Sequence, residues 1–333
     1  MLDRDSRVEY EAAWSEARLW IEQSAKEGLT DPVEIVRGVT KSEDGRFLSQ
    51  GAFQDYYTET HQPVPKHRLG IEAGAYRLFP FEHQDPNVLD TLAEFIASHA
   101  GRIDAVVELG SGIGRNLFML ASRLRRDGTG TLAFHACEYT SAGRDAAIRL
   151  SELGKCELLV HAFDYRQPDL SFLDRAQNVL FFSVHSLEQI TIATESFIDE
   201  MLARTAMCYC LHFEPVGWQL DRSLVNWREN IDRSIFRRQR LFSQGLRFDV
   251  AQLGIKRVRG FKGIPVADVQ VGSAATTSLN AARWSARFRY NKNLIKVLHG
   301  MKDGGRIEIF REEPNTFGSN PFNPTTIIGW RKR

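Results

Sequence analysis

At 333 residues, with 43% apolar and 26% charged residues, the chain has the size and proportions of a protein folded around one large core, which excludes disordered, collagen-like and disulfide-stapled classes. Its 43 basic and 42 acidic residues leave a formal charge of +1, too even for the broad positive field that nucleic-acid binding relies on, so no nucleic-acid partner is expected. No run of about 18 apolar residues is present to span a bilayer, and MLDRDSRVEYEAAW is charged where a signal peptide is apolar, so a cytoplasmic protein without membrane attachment is expected.

Residues 8–26 place Tyr10, Ala13, Trp14, Ala17, Trp20, Ile21 and Ala25 at helical spacing, which predicts an amphipathic helix. From Gly28 to His83 the chain is richer in Gly, Pro, His and aromatic residues and predicts irregular structure with short helices. Residues 1–84 are thus expected to form an N-terminal helical or lid segment, with Tyr56, Tyr57, His61, His67 and Tyr76 as lid candidates. Asp85-Pro86 suits a helix start, and the pattern runs to about His99. From Ala105, short apolar runs at 105–109, 131–138, 156–163, 178–184 and 206–213 alternate with helical patterns, as in βα units that build a parallel sheet. Two further runs, 306–310 and 325–330, flank the polar EEPNTFGSNPFNP and predict a terminal antiparallel pair. The expected fold class is therefore α/β with seven strands, residues 85–333 forming the catalytic domain. About ninety residues separate the fifth and sixth strands, far more than one crossover needs, which predicts a helical insertion at 217–290 suited to substrate recognition. Cys137, Cys156, Cys208 and Cys210 form no CxxC pair and lie in apolar runs, so they read as reduced, buried thiols rather than metal ligands.

The first strand ends in Val107-Glu108-Leu109-Gly110-Ser111-Gly112-Ile113-Gly114, and a helical pattern, RNLFMLASRLRR, follows at once. Glycines in such a turn permit backbone angles and a closeness to ligand that a Cβ would block. The spacing is G-x-G-x-G with an acid two residues before the first glycine, which differs from the dinucleotide fingerprint G-x-G-x-x-G. The segment resembles motif I of the class I (Rossmann-like) S-adenosylmethionine (SAM)-dependent methyltransferases, in which the loop underlies the cofactor and the acid lies near its amino-acid end. The second strand ends in Cys137-Glu138-Tyr139, where that family carries an acid for both ribose hydroxyls. The third is followed by Phe163-Asp164-Tyr165, where it often has an Asp for the adenine amino group beside an apolar side chain. The resemblance covers residues 104–214 and the final strand pair. It implies a doubly wound, mostly parallel sheet of order 3-2-1-4-5-7-6 with the last strand antiparallel, SAM as cofactor and S-adenosylhomocysteine (SAH) as product. Carried onto this sequence, the cofactor residues are Glu108, Gly110, Ser111, Gly112, Gly114, Asn116, Glu138, Tyr139, Phe163, Asp164, Tyr165, Ser183 and His185. Read without the resemblance, the three acids are also compatible with ordinary solvated loop carboxylates.

The fourth strand leads into Ser183-Val184-His185-Ser186-Leu187-Glu188-Gln189-Ile190 and the fifth into His212-Phe213-Glu214-Pro215-Val216-Gly217-Trp218. Ligands of doubly wound sheets sit beyond the carboxyl ends of strands, which predicts that His185, His212 and Glu214 converge. Methyl transfer from a sulfonium is an in-line displacement in which the enzyme supplies positioning and, for an oxygen or nitrogen nucleophile, a base. Histidine suits that task near neutral pH. The expected catalytic set is His185 or His212 as base, with Glu214 orienting a histidine or binding an acceptor hydroxyl. Two readings stay open beside it. In one, His185 touches only the cofactor's methionine portion and His212 is a satisfied strand-end residue. In the other, His-His-Glu holds a divalent metal, which the ligand types permit and the spacing does not require; no metal is expected.

The insertion carries Arg237, Arg238 and Arg240, then Arg283-Trp284-Ser285-Ala286-Arg287-Phe288-Arg289-Tyr290. Such a run can grip a carboxylate, phosphate or sugar, or form an amphipathic helix with solvated arginines. Tyr56, Tyr57, Trp218, Arg283, Arg287 and Tyr290 are the candidate acceptor-binding residues. HSLEQ, HFEPVGWQ and NPFNPTTIIGW are similar to segments of a group of bacterial sugar O-methyltransferases. This implies a small-molecule partner, with an oxygen of a polar or sugar-like metabolite as methyl acceptor. A nitrogen of a small molecule, amino acid or peptide is the alternative, followed by an NAD(P)-dependent oxidoreductase or a non-catalytic protein of the same fold. The N-P-P-[YF] tetrapeptide common in amino-group methylases of nucleic acids is absent, and a homodimer is the assembly left open.

Overall fold

A computed structural model describes residues 7–41, 47–49, 67–73, 75–80, 87–126, 132–175, 177–234, 274–318, 320 and 322–333. Its strands, in chain order, are β1 (Val39–Lys41), β2 (Phe47–Ser49), β3 (His67–Glu72), β4 (Ala75–Pro80), β5 (Ala105–Leu109), β6 (Ala133–Glu138), β7 (Leu159–Ala162), β8 (Asn178–Val184), β9 (Met207–Glu214), β10 (Ile307–Phe317) and β11 (Thr325–Lys332). The last seven form one sheet of order β10-β11-β9-β8-β5-β6-β7. Strands β5 to β9 pair in parallel, and β11 runs against both β9 and β10. Counted along the chain this is the order 3-2-1-4-5-7-6 with the last strand antiparallel, as the resemblance implies.

Alternation along the central strands gives the sheet two apolar faces. Val106, Leu180, Phe182, Leu211 and Phe213 share a buried cluster with residues of the helices Arg7–Lys26, Asn87–Ser98, Arg115–Arg126 and Ser141–Gly154. Val107, Leu109, Phe181, Cys208, Cys210 and Trp330 pack with the helices Ser196–Ala203 and Leu294–Asp303 on the other side. All four cysteines are buried and unpaired. No helix among the described residues is long and apolar enough to cross a membrane.

The N-terminal helix lies along the helix Ser141–Gly154. Ala17 and Ile21 are buried between it and the core. Ion pairs Arg18–Asp145 and Glu22–Arg149, each at 3.1 Å, hold its flank. Glu11 caps the neighbouring helix, accepting from the amides of Ser141 (3.1 Å) and Ala142 (3.0 Å) and from the Ser141 hydroxyl. The Ser141 hydroxyl is the largest of the causes that hold the Glu11 carboxyl below its ordinary range.

Three local expectations need correction. Strand β7 begins at Leu159, not 156, because the Cys156 amide is bonded to Ser151 O and the Leu158 amide to Ser151 Oγ, closing the preceding helix. Strand β10 continues to Phe317, through what reads as a loop. Register shifts at Ile309/Arg311 and Glu313/Phe317 let Pro314 sit in this edge strand. The Gly28 to His83 segment holds two antiparallel hairpins, β1–β2 and β3–β4, beside the helix Pro32–Arg37. Ile71 of β3 and Gly318 exchange two backbone bonds of 2.7 and 2.9 Å, joining this hairpin to the end of β10. The insertion contains the helices Arg222–Arg233 and Ala274–Phe288. Tyr56, Tyr57, His61, Asp85-Pro86, Arg237, Arg238 and Arg240 lie outside the described residues.

Ile21 is fully buried where the N-terminal helix joins the core. Ile21→Ala is expected to lower the free energy of unfolding by about 2–5 kcal/mol, measured by urea titration. An unchanged midpoint would mean that the helix is not part of the cooperative fold.

Candidate functional site

Beyond the carboxyl ends of β5, β6 and β8 lies a cavity of about 300 Å³, at the lower end of the roughly 300–1,000 Å³ usual for small-molecule sites. Its floor is the turn after β5. Gly110 and Gly112 have φ of +76° and +55°, a region that costs other residues strain. Neither has room for a side chain. A Cβ on Gly110 would come 2.3 Å from Ser186 Cβ, and one on Gly112 would come 2.6 Å from the Trp14 ring. Polar bonds hold the turn in place. The Tyr165 hydroxyl is 2.9 Å from Leu109 O and 2.8 Å from Ser186 Oγ, which itself donates to Leu109 O at 2.7 Å.

Two buried carboxylates flank the turn. Glu138 Oε2 accepts from the Gly112 amide at 2.8 Å, and Oε1 accepts from the Thr140 amide and hydroxyl at 2.8 and 2.6 Å. An ionised carboxyl oxygen has two acceptor positions, so Oε2 keeps one. Glu108 is less provided for. Asn116 Nδ2 donates to its Oε1 at 2.6 Å, while its buried Oε2 has no donor. Burial, and secondarily the charge of Glu138, push the Glu108 carboxyl up to about 8 despite the Asn116 bond.

Of the cofactor candidates, Glu108, Gly110, Ser111, Gly112, Asn116, Glu138, Tyr139, Phe163, Asp164, Tyr165 and His185 all line this one cavity. Gly114 and Ser183 do not; a Cβ on Gly114 would meet Leu158 and Phe118, and Ser183 is fully buried. Asp164 Oδ1 accepts from the amide and Nε of Arg166 at 2.9 and 3.1 Å. The guanidinium carbons of Arg7 and Arg166 lie 5.1 and 5.2 Å from the Tyr139 ring centre, within cation–π range. Arg7, Tyr10 and Trp14 bring the N-terminal helix into the wall, and Arg115, Ser186 and Gln189 are also among its residues. Sequence reasoning missed these six. Tyr10 and Trp14 share the apolar stripe with Ala17 and Ile21, but periodicity does not say what a stripe covers.

The three catalytic candidates separate. His185 lines the cavity with its side chain about a third exposed and its backbone at φ +49°. His212 and Glu214 are fully buried and are not among the lining residues. Trp330 Nε1 can only donate, so His212 Nε2 accepts (3.0 Å) and Nδ1 carries the proton, donating to Ser183 Oγ (2.9 Å), which donates to Glu214 Oε1 (2.7 Å). Glu214 also accepts from the amides of Ser186, Leu187 and Glu188 at 3.2, 3.1 and 3.0 Å. It fastens the loop that carries His185. Trp218 is buried against Ala281 and Ala282, Arg287 lies over the Phe288 ring and Tyr290 stacks on it. Neither these nor Arg283 line the cavity, and Tyr56 and Tyr57 lie outside the described residues. Among the described residues, no cluster of three His, Cys, Asp or Glu side chains is placed to hold a metal ion.

No protein-family model matches the chain, and no curated protein matches it. Similar solved structures include the geranyl diphosphate C-methyltransferase of Streptomyces coelicolor A3(2) in complex with Mg2+, geranyl diphosphate and SAH. It is 12% identical over 84% of this chain and 98% of that one, with a TM-score of 0.42. The N-terminal domain of EvdMO1 with SAH bound is 14% identical over 75% and 82%, TM-score 0.34. A SAM-dependent methyltransferase from Aquifex aeolicus is 13% identical over 75% and 100%, TM-score 0.35. Scores this low leave the fold to be judged on its own strand order.

Burial holds the His212 imidazole down at about 3, from an ordinary 6.5. Burial and then the Glu188 charge push Glu214 up to about 7 from 4.5. The folded state therefore holds the Glu214 proton more tightly than the unfolded chain, so this contribution to stability is complete below about 4.5 and is lost as pH rises through 7. For His212 the sign reverses: its contribution is complete above 6.5 and is lost as pH falls toward 3. Glu214→Gln abolishes the first dependence alone. Its stability relative to the parent is expected to improve by roughly 1–3 kcal/mol between pH 5 and pH 8, read by urea unfolding at the two pH values.

Proposed function

We propose that the chain is a SAM-dependent methyltransferase that moves a methyl group to an oxygen of a small polar or sugar-like metabolite, with His185 as the base. The observation that carries this reading is the pair of buried carboxylates on the glycine turn: Glu108, with one oxygen lacking any donor, and Glu138, with one acceptor position to spare. A ligand that suits both presents an ammonium group and, at a distance, a diol. SAM presents both, and when bound supplies a methyl group on a positively charged sulfur. Glu108 would hold its amino group, Glu138 a ribose hydroxyl, and Phe163 with Asp164 the base ring and its amino edge.

The protein's own part is to bind, orient and take up a proton. The loop fastened by Glu214 sets His185 at the cavity, where its ring can accept the proton leaving an acceptor hydroxyl. The Trp14 side of the wall covers the glycine turn and limits water there. A nitrogen acceptor is the second reading; it requires the same residues, since an amine also arrives protonated.

Separate titrations with SAH and with NADH test the cofactor, and tight NADH binding with none for SAH would overturn it. An ammonium at Glu108 demands an ionised carboxylate that the empty site disfavours below about pH 8. SAH affinity should therefore rise from pH 6 to pH 8, by up to about tenfold per unit. Glu108→Gln should flatten that dependence and weaken binding by roughly 10–100-fold. His185→Asn is expected to leave SAH affinity intact and to lower turnover about 10²–10⁴-fold; full turnover would remove His185 from the chemistry.

A further inference from the structure

The His185 ring is held from behind by groups that the assignment of a base leaves unexplained. Its Nε2 is 2.8 Å from Thr325 Oγ1, at the start of β11. Its Nδ1 is 3.6 Å from Glu188 Oε1, one 3₁₀ turn further along the same loop, and 3.4 Å from Asn323 Nδ2. Glu188 is 4% exposed. Its carboxylate accepts from Asn323 Nδ2 at 3.0 Å and from Gln189 Nε2 at 2.9 Å, and its main-chain carbonyl accepts from the Asn291 amide at 2.8 Å. Both carboxylate donors are neutral amides, and no lysine or arginine pairs with Glu188 among the described residues. A buried carboxylate left with neutral donors keeps most of its field, and the His185 ring lies within it.

We infer that Glu188 is the positioning residue of His185: it fixes the ring's orientation at the cavity and supplies the negative charge that the imidazole needs when it takes up a proton, with Asn323 holding the carboxylate in place. This rests on the reading of His185 as the base. Among the described residues, the carboxylates of Glu188, from its own loop, and Glu214, from the end of β9, act on the ring, and the uncharged Asn323 and Thr325 meet it from the terminal segment. Glu214 already accepts four hydrogen bonds, three of them from backbone amides, which spread its charge into the loop. Glu188 therefore dominates on the Nδ1 side. Nδ1 faces Glu188, so Nε2 is the nitrogen that takes the proton leaving the acceptor hydroxyl; it exchanges its Thr325 bond for the acceptor to do so, and the proton returns to water when the product departs.

The test is a nuclear magnetic resonance titration of protein carrying isotope-labelled histidine, with the His185 signal assigned by its loss in His185→Asn. Glu188→Gln keeps the shape and the amide contacts and removes the charge. Its His185 midpoint should fall by about one pH unit while SAH affinity stays within about twofold. Glu188→Asp should restore most of the midpoint, which a purely structural role would not do. A midpoint that moves by less than about half a unit in Glu188→Gln overturns the inference. If that variant does not fold, the parent protein decides: a His185 midpoint above about 6.5 supports the inference, and one at or below it overturns it. The two readings fail separately. Full turnover in His185→Asn removes the base and leaves the pairing, whereas an unmoved midpoint removes the pairing and leaves the base.

Discussion

The turn from Gly110 to Gly114 is pressed between two side chains from distant parts of the sequence, Ser186 below Gly110 and Trp14 over Gly112. A Cβ at either glycine would collide, so the contact fixes three things at once: the path of the β5 carbonyl end, the seat of the β8 loop and the docking of the N-terminal helix. Tyr165 and Ser186 bond Leu109 O from one side, and Glu138 takes the Gly112 amide from the other. Because interiors are packed to near-crystal density, displacing any of these partners shifts the others. The cavity is the space this arrangement leaves over.

Much of this was legible in the chain. The βα alternation and the two terminal apolar runs gave the seven strands, and the glycine spacing with its acids singled out turns that line one cavity. Less legible was what required knowing which surfaces meet. The stripe of Tyr10, Trp14, Ala17 and Ile21 announces an amphipathic helix, but its target is the helix after β6, more than a hundred residues away. Pro314 suggests a loop, and only the position of β10 at the sheet edge explains why a strand tolerates it.

His212 and Glu214 are a different case, since the information was present and the alternation was not carried far enough. Cys208 and Cys210 share one face of β9 and were read as core; residues 212 and 214 continue that face. The same alternation therefore sends the histidine into the core beneath Trp330, where its two nitrogens are both bonded. His185 lies past the last paired residue of β8 and reaches the cavity, whereas His212 and Glu214 are still paired, with Ile328 and Thr326 of β11, and are buried.

Four glutamates, Glu108, Glu138, Glu188 and Glu214, are buried at this end of the sheet, and buried charge is costly unless donors meet it. They are not met equally. Glu214 has four donors and Glu138 three, most of them backbone amides whose positions the fold itself fixes. Glu188 has two side-chain amides and Glu108 only one. The well-satisfied pair holds loops in place, and its charge is committed to the structure. The poorly satisfied pair faces the two places where the proposed chemistry brings positive charge, the ammonium end of a cofactor and a protonated histidine. On the proposed reading this deficit of donors selects the ligand: Glu108, which holds its proton up to about pH 8 in the empty site, ionises where a cation meets it.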